Sequence, residues 1–255
     1  MDLRNHGHRL VDAEANRPWH TSRAGKHNPT YAIDAVGVVA GTAQDVSFLM
    51  DFLPAYLFPS GERKVVHWAA AGISMGSHVV WFALRSGASP EAITGYRLLT
   101  VYLHGMGVTA FDVPSAADPR LKTGIIILGC PDNFVVLRTH AAMVGLPFAP
   151  PQIPATLLTA LRKVDPSVAH HRARSGALNP FWGKNILNVC ADADASVPSA
   201  MYADFWKGLE VGSEGWKETA VVRGGHAYTR TMMRHALMFF WERCLGEESK
   251  VRAHL

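Results

Sequence analysis

Cysteine is scarce in this chain: Cys130, Cys190 and Cys244 are the three among 255 residues. An odd number, each set in an apolar run, excludes a fully paired disulfide framework and points to reduced, buried thiols. No CxxC pair and no Cys/His spacing of a zinc site occurs. Basic runs are missing too. The net charge is +4 with thirteen histidines counted neutral, but Lys and Arg are scattered and no recognition motif joins them, so no nucleic-acid partner is expected. The opening "MDLRNHGHRL" has no apolar core of a signal peptide. Asp45 and Asp51 interrupt the longest apolar candidate, so no membrane span is expected. Repeats, low-complexity stretches and Gly/Ser or Pro linkers are also lacking. With 48% hydrophobic and 18% charged residues, the expectation is a cytoplasmic, globular chain with a single domain over 1–255.

What is present is an alternation of strand and helix signals. Residues 1–35 are polar and rich in His and Arg, and read as loop. Over 42–57, Ala43, Val46, Leu49, Met50 and Leu53 recur at helical spacing, with Thr42 as N-cap and Pro54 as the stop or kink. Residues 64–71 form a continuous apolar run, the pattern of a buried parallel strand. Helix follows over 75–86. "GIIILG", 124–129, is β-branched and bounded by glycines. Residues 139–180 are rich in Pro and His, enclose the helical stretch "ATLLTALRKV" and read as a cap or lid. Further strands are expected at 185–191 and 218–222, and helices at 198–209 and 229–245. The alternation predicts an α/β fold with a parallel, doubly wound sheet.

Between the run at 64–71 and the helix at 75–86 stands Gly72-Ile73-Ser74-Met75-Gly76. Strand, G-x-S-x-G and helix in that order make a nucleophile elbow. The turn is sharp, so small residues are expected on both sides of Ser74. The hydroxyl then stands at a helix start, where the Met75 N–H and the helix dipole favour a developing oxyanion. Serine needs a base to take its proton, and the base needs a carboxylate to hold its tautomer. Downstream, "NILNVCADADASVP" offers Asp192 and Asp194 after a strand. "AVVRGGHAYT" then places His226 after another strand and before the last helix. A plain N-cap role for Ser74 would not need both glycines.

These motifs resemble the α/β-hydrolase superfamily. Its pattern after the penultimate strand is small residue, two variable positions, Asp, two more, Val-Pro; Ala191 and Asp194 fill it. "GGHAYT" resembles its histidine loop. "DLRNHGHR" resembles its Asp-x-Arg-x-His-Gly turn, and with "GCPD" it points to the dienelactone-hydrolase and prolyl-oligopeptidase-like branch. The resemblance covers most of 1–86 and 118–246. It implies a catalytic set of Ser74, Asp194 and His226, with Met75 N–H as oxyanion donor. Asp132, after the preceding strand, is the second choice for the acid and Asp192 the third. No cofactor and no metal are implied. The partner expected is a small acyl substrate.

Other residues have blander readings. His6 and His8 are loop histidines without a carboxylate or cysteine neighbour in sequence. His140, His170 and His171 belong to the lid segment. Cys130 and Cys190 read as strand packing, and Trp68 and Trp81 as core.

The resemblance also implies absences. In the family the Asp-x-Arg-x-His-Gly turn closes the fourth strand, whereas here it begins at Asp2. The earlier strands are therefore expected to be missing, with the second oxyanion N–H that the third strand's loop supplies. Loss of such a donor costs about 2.7–4 kcal/mol of transition-state stabilisation. The strand that leads to Ser74 would then be an open edge. Residues 87–117 read as an insertion, and translated intron sequence is one source for it. "VYLHGMGV", 101–108, resembles the missing strand and loop, but follows the nucleophile. The expectation is an α/β-hydrolase-type sheet without its N-terminal strands, acting as a serine esterase. The alternative is an impaired remnant that binds acyl ligands or a protein partner.

Overall fold

The computed structural model describes residues 1–20, 26–85, 97–103, 106–112 and 120–245. Among them, four parallel strands form the main sheet: β1 (Trp68–Ile73), β4 (Leu121–Ile127), β5 (Asn185–Ala191) and β6 (Trp216–Val222), in the order β1-β4-β5-β6. The expected strand at 185–191 is met residue for residue. The strand expected at 64–71 is shifted to 68–73, and that at 124–129 begins at Leu121. Alternation along β4 explains the layering. Ile125 and Ile127 join one apolar cluster with Met232 and Phe239, while Ile126 joins the other with Trp81 and Phe205. A sheet buried on both faces selects near-continuous apolar strands.

One face is covered by α6 (Arg230–Phe240), which continues into a single wider π turn, Trp241–Leu245. The other is covered by α2 (Met75–Arg85), with α1 (Tyr31–Leu57) packed on α2. Trp81 of α2 is wholly buried, edge-on to Phe181 at 5.8 Å and Phe205 at 5.4 Å. Edge-to-face pairs of this kind contribute about 0.5–1.5 kcal/mol beyond burial alone. Trp68 is only partly buried and lines a groove described below.

Helix α1 departs from the sequence expectation. It starts at Tyr31, not 42, because Ala32, Val36 and Val39 extend the buried stripe through Ala43 and Met50. Thr42 is therefore mid-helix and no N-cap; its hydroxyl accepts the N–H of Arg4 at 3.0 Å. Pro54 falls in the last turn, and the helix ends at Leu57. With the added turns α1 is long and apolar enough, by length and composition alone, to cross a membrane, although Asp34, Asp45 and Asp51 lie within it. The 1–9 turn docks on α1. Arg4 grips Asp45 with two nitrogens, at 2.6 and 3.0 Å, and Arg9 adds a contact at 2.7 Å. The paired guanidinium holds the Asp45 carboxylate below its usual range.

Three further helices lie between β4 and β6: α3 (Asn133–Met143), α4 (Ala155–Val164) and α5 (Ala203–Gly208). α4 matches the predicted "ATLLTALRKV". α3 was hidden in sequence at the edge of the Pro- and His-rich segment. Within 139–180, Ile153 and Leu161 are wholly buried in the main core.

Strands β2 (Arg97–Leu103) and β3 (Met106–Asp112) pair antiparallel with each other as a separate two-stranded sheet. In "VYLHGMGV", residues 101–103 and 106–108 thus lie on this antiparallel pair and not beside β1, and His104-Gly105 lies outside the described residues. Pairing between segments so close in sequence is favoured over a distant partner because it needs little loop closure. Among the described residues β1 is a terminal strand of the main sheet, as expected.

Candidate active site

Ser74 sits between β1 and α2 with φ of +52°, a left-handed conformation rare outside glycine. Its backbone N–H donates to the Ile127 carbonyl of β4 at 2.8 Å. Ser77, one turn on, receives the Ile127 N–H at 2.9 Å and lies 2.6 Å from the Gly72 and Ile127 carbonyls. These bonds to β4 hold the strained turn, which costs about 1–3 kcal/mol at a non-glycine residue.

The two glycines of the motif are not equivalent. A Cβ on Gly72 would run into the Gly76 carbonyl and the Ser77 nitrogen. A Cβ on Gly76 would meet nothing within 4 Å. The sequence expectation of crowding on both sides is corrected for Gly76, which faces the groove beside β1.

Ser74 Oγ lies 2.8 Å from His226 Nε2, and His226 Nδ1 lies 2.8 Å from Asp194 Oδ2. The line is continuous when Nδ1–H donates to the carboxylate and Nε2 accepts from the hydroxyl. Asp194 is buried. Its other oxygen accepts the N–H groups of Ser196 and Val197, both at 2.9 Å, which turns Oδ2 toward the imidazole. His226 stands on the loop after β6, at the far side of the sheet from β1. That loop is drawn back by Asp192, whose Oδ1 accepts the Gly224 N–H at 2.9 Å, and by Ala193 N–H to the Gly224 carbonyl at 3.0 Å. Gly224 has φ of +131°, which a side chain rarely adopts. Asp192 thus holds the loop and makes no bond to the imidazole. Asp132, the second choice for the acid, caps α3 by accepting the Val135 N–H at 3.0 Å.

Met75 opens α2, and among the described residues its N–H is not taken by any backbone hydrogen bond. It is one of the orphan donors of a helix start. Beside the site lies His78, one helical turn beyond Ser74 and buried; burial pushes its pKa down to about 4. His140 meets the Tyr31 hydroxyl at 3.1 Å and is also shifted down, first by burial and then by the nearby His226. The i, i+4 spacing from Ser74 was the signal for His78, whereas nothing local in sequence joined Tyr31 to His140. Of the other histidines, His8 pairs with Asp2 at 3.1 Å, His6 with the Arg4 carbonyl at 2.9 Å, and His171 stacks on Phe205 at 4.3 Å. Cys130 is buried, with its thiol pushed up to about 12 by desolvation. Among the described residues no cluster of three His, Cys, Asp or Glu side chains has metal-binding proximity.

By sequence, the chain matches no family model and no curated protein. By structure it is similar to acetyl xylan esterase 1 from Thermoanaerobacterium sp., with a TM-score of 0.51 and 14% identity over 94% of this chain and 64% of that one. It is also similar to TT1662 from Thermus thermophilus, with a TM-score of 0.50 and 15% identity over 89% of this chain and 74% of that one. It spans 28% of a bifunctional GH43-CE protein from Bacteroides eggerthii, at a TM-score of 0.42 and 14% identity. With its parallel β1-β4-β5-β6 sheet and the turn from β1 through Ser74 into α2, the chain is a protein of α/β-hydrolase fold.

Proposed function

We propose that the protein is a serine hydrolase that cleaves a carboxylic ester or related small acyl compound by acyl transfer to water. Ser74 attacks the carbonyl carbon as His226 takes its proton. Asp194 holds the imidazole in the required tautomer and stabilises the imidazolium. The tetrahedral oxyanion receives the Met75 N–H at the start of α2. His226 then protonates the leaving group. Water, deprotonated by the same imidazole, releases the acid and restores Ser74. The observation that carries this reading is the unbroken 2.8 Å and 2.8 Å line through His226. A neighbour of the same fold, acetyl xylan esterase 1, supports the substrate class.

A fluorophosphonate probe tests the reading directly. The folded protein labels at Ser74, and Ser74→Ala abolishes labelling. Folded protein that stays unlabelled overturns it.

A second reading rests on the uncovered edge of β1. There the chain is a remnant that keeps the serine pocket and binds acyl ligands, or a protein partner, without turnover. Ligand binding measured by calorimetry, in protein that neither labels nor hydrolyses p-nitrophenyl acetate, would favour it.

A further inference from the structure

At the opposite end of the sheet from Ser74, about 20 Å away along β1, a second nucleophile stands beside a second histidine. Cys244, in the π turn after α6, has its Sγ 3.5 Å from Thr123 Oγ1 and 3.3 Å from His67 Nε2. His67 precedes β1, and its Nε2 is 3.0 Å from Thr123 Oγ1. Thr123 is fully buried. A thiol that donates to the Thr123 oxygen, and a hydroxyl that donates to His67 Nε2, satisfy the arrangement together. The proton of Cys244 therefore has a path to a base.

The cluster opens into a cavity of about 460 Å³ at the amino ends of the strands. Lys122, Arg243 and Glu214 line it, so its walls carry more positive than negative charge. The Arg243 guanidinium lies over the Trp216 ring at 3.9 Å, which fixes its plane. Its Nε is buried without a hydrogen-bond partner among the described residues. A stacked cation with an unused donor, beside a thiol and a base, fits a small ligand that brings both an anion and an electrophilic sulfur.

We propose that this cavity is a second reactive site, in which Cys244 exchanges with low-molecular-weight disulfides that carry carboxylates. His67 takes the Cys244 proton through Thr123. The thiolate attacks one sulfur of the disulfide, a new S–S bond to Cys244 forms as the old one breaks, and the departing thiolate takes up a proton. Cys244 is oxidised and half of the disulfide is reduced. Burial raises the Cys244 pKa, so the thiol is neutral at rest and needs the neighbouring base. Cys130 and Cys190, buried in the core, are the internal controls.

The test treats the folded full chain with oxidised glutathione, an acidic disulfide, and separately with cystamine, a cationic one, and maps adducts by peptide mass. Cys244 is expected to carry the adduct, forming about tenfold faster with oxidised glutathione than with cystamine. Arg243→Gln and Lys122→Gln bring the two rates together. His67→Gln slows both reagents by a common factor. The proposal is overturned if Cys244 stays unmodified, if the wild type reacts at equal rates with both reagents or faster with cystamine, or if the three cysteines react alike.

Discussion

On its β4 side, the strand that carries Ser74 is hydrogen-bonded along its length. Ser77 reaches across to Ile127, and Gly72 has no room for a side chain. On its other side the same strand borders a groove of about 310 Å³, walled by α1 and the first residues of the chain. Ala71 and Ile73 are exposed, with Ile73 at 43%. The strained turn, the acid and the histidine loop all depend on the covered side. The geometry that joins Ser74, His226 and Asp194 is thus held from one flank of β1.

The largest expected effect tests the covered side. Asp194→Asn removes the acceptor for His226 Nδ1–H and favours the wrong tautomer. Ester turnover falls by about four orders of magnitude while circular dichroism is unchanged. Packing comes next. Ile126→Ala, at a wholly buried position of β4, costs about 2–5 kcal/mol in urea unfolding. Ile73→Ala, on the open flank, costs within about 0.5 kcal/mol. Equal costs would erase the contrast.

The buried His78 sharpens it through pH. Burial, then the charge of His140, lowers its pKa from 6.5 to about 4. Above pH 6.5 it is neutral in both folded and unfolded chains. As the pH falls, the unfolded state takes up a proton first. Stability is thus lost between pH 6.5 and 4, by on the order of 3 kcal/mol at the lower end. Urea midpoints across that range should slope less in His78→Gln. A small effect of opposite sign belongs to Gly76→Ala, which places a methyl in open space and removes a helical glycine. It is expected to stabilise by about 0.5–1 kcal/mol, whereas Gly72→Ala should prevent the elbow from forming. A destabilising Gly76→Ala would show that the open flank is filled in solution.

Much of this was legible in sequence where local pattern and chemistry coincide. β5 and α4 were readable from β-branched runs and from apolar spacing. Ser74, Asp194 and His226 were readable because each follows a strand signal. The start of α1 was not. Its first turns share a stretch with polar, His-rich residues, and their partners, Trp19 and the turn around Arg4, are distant in sequence. Gly72 and Gly76 look alike in sequence, since the crowding that separates them comes from how the turn folds back on itself.

By itself the sequence determined the order of strands and helices, the residue types at each strand end, and the G-x-S-x-G turn, because these follow from side-chain period and backbone sterics. Tertiary structure alone decided that His226, on the loop after the last strand of the sheet, reaches Ser74, in the turn after the first, with Asp192 and Ala193 holding that loop at Gly224. It alone gathered His67, Thr123 and Cys244, which lie on three separate segments of the chain. Distances between residues far apart in the chain are fixed by packing, and no local pattern encodes them.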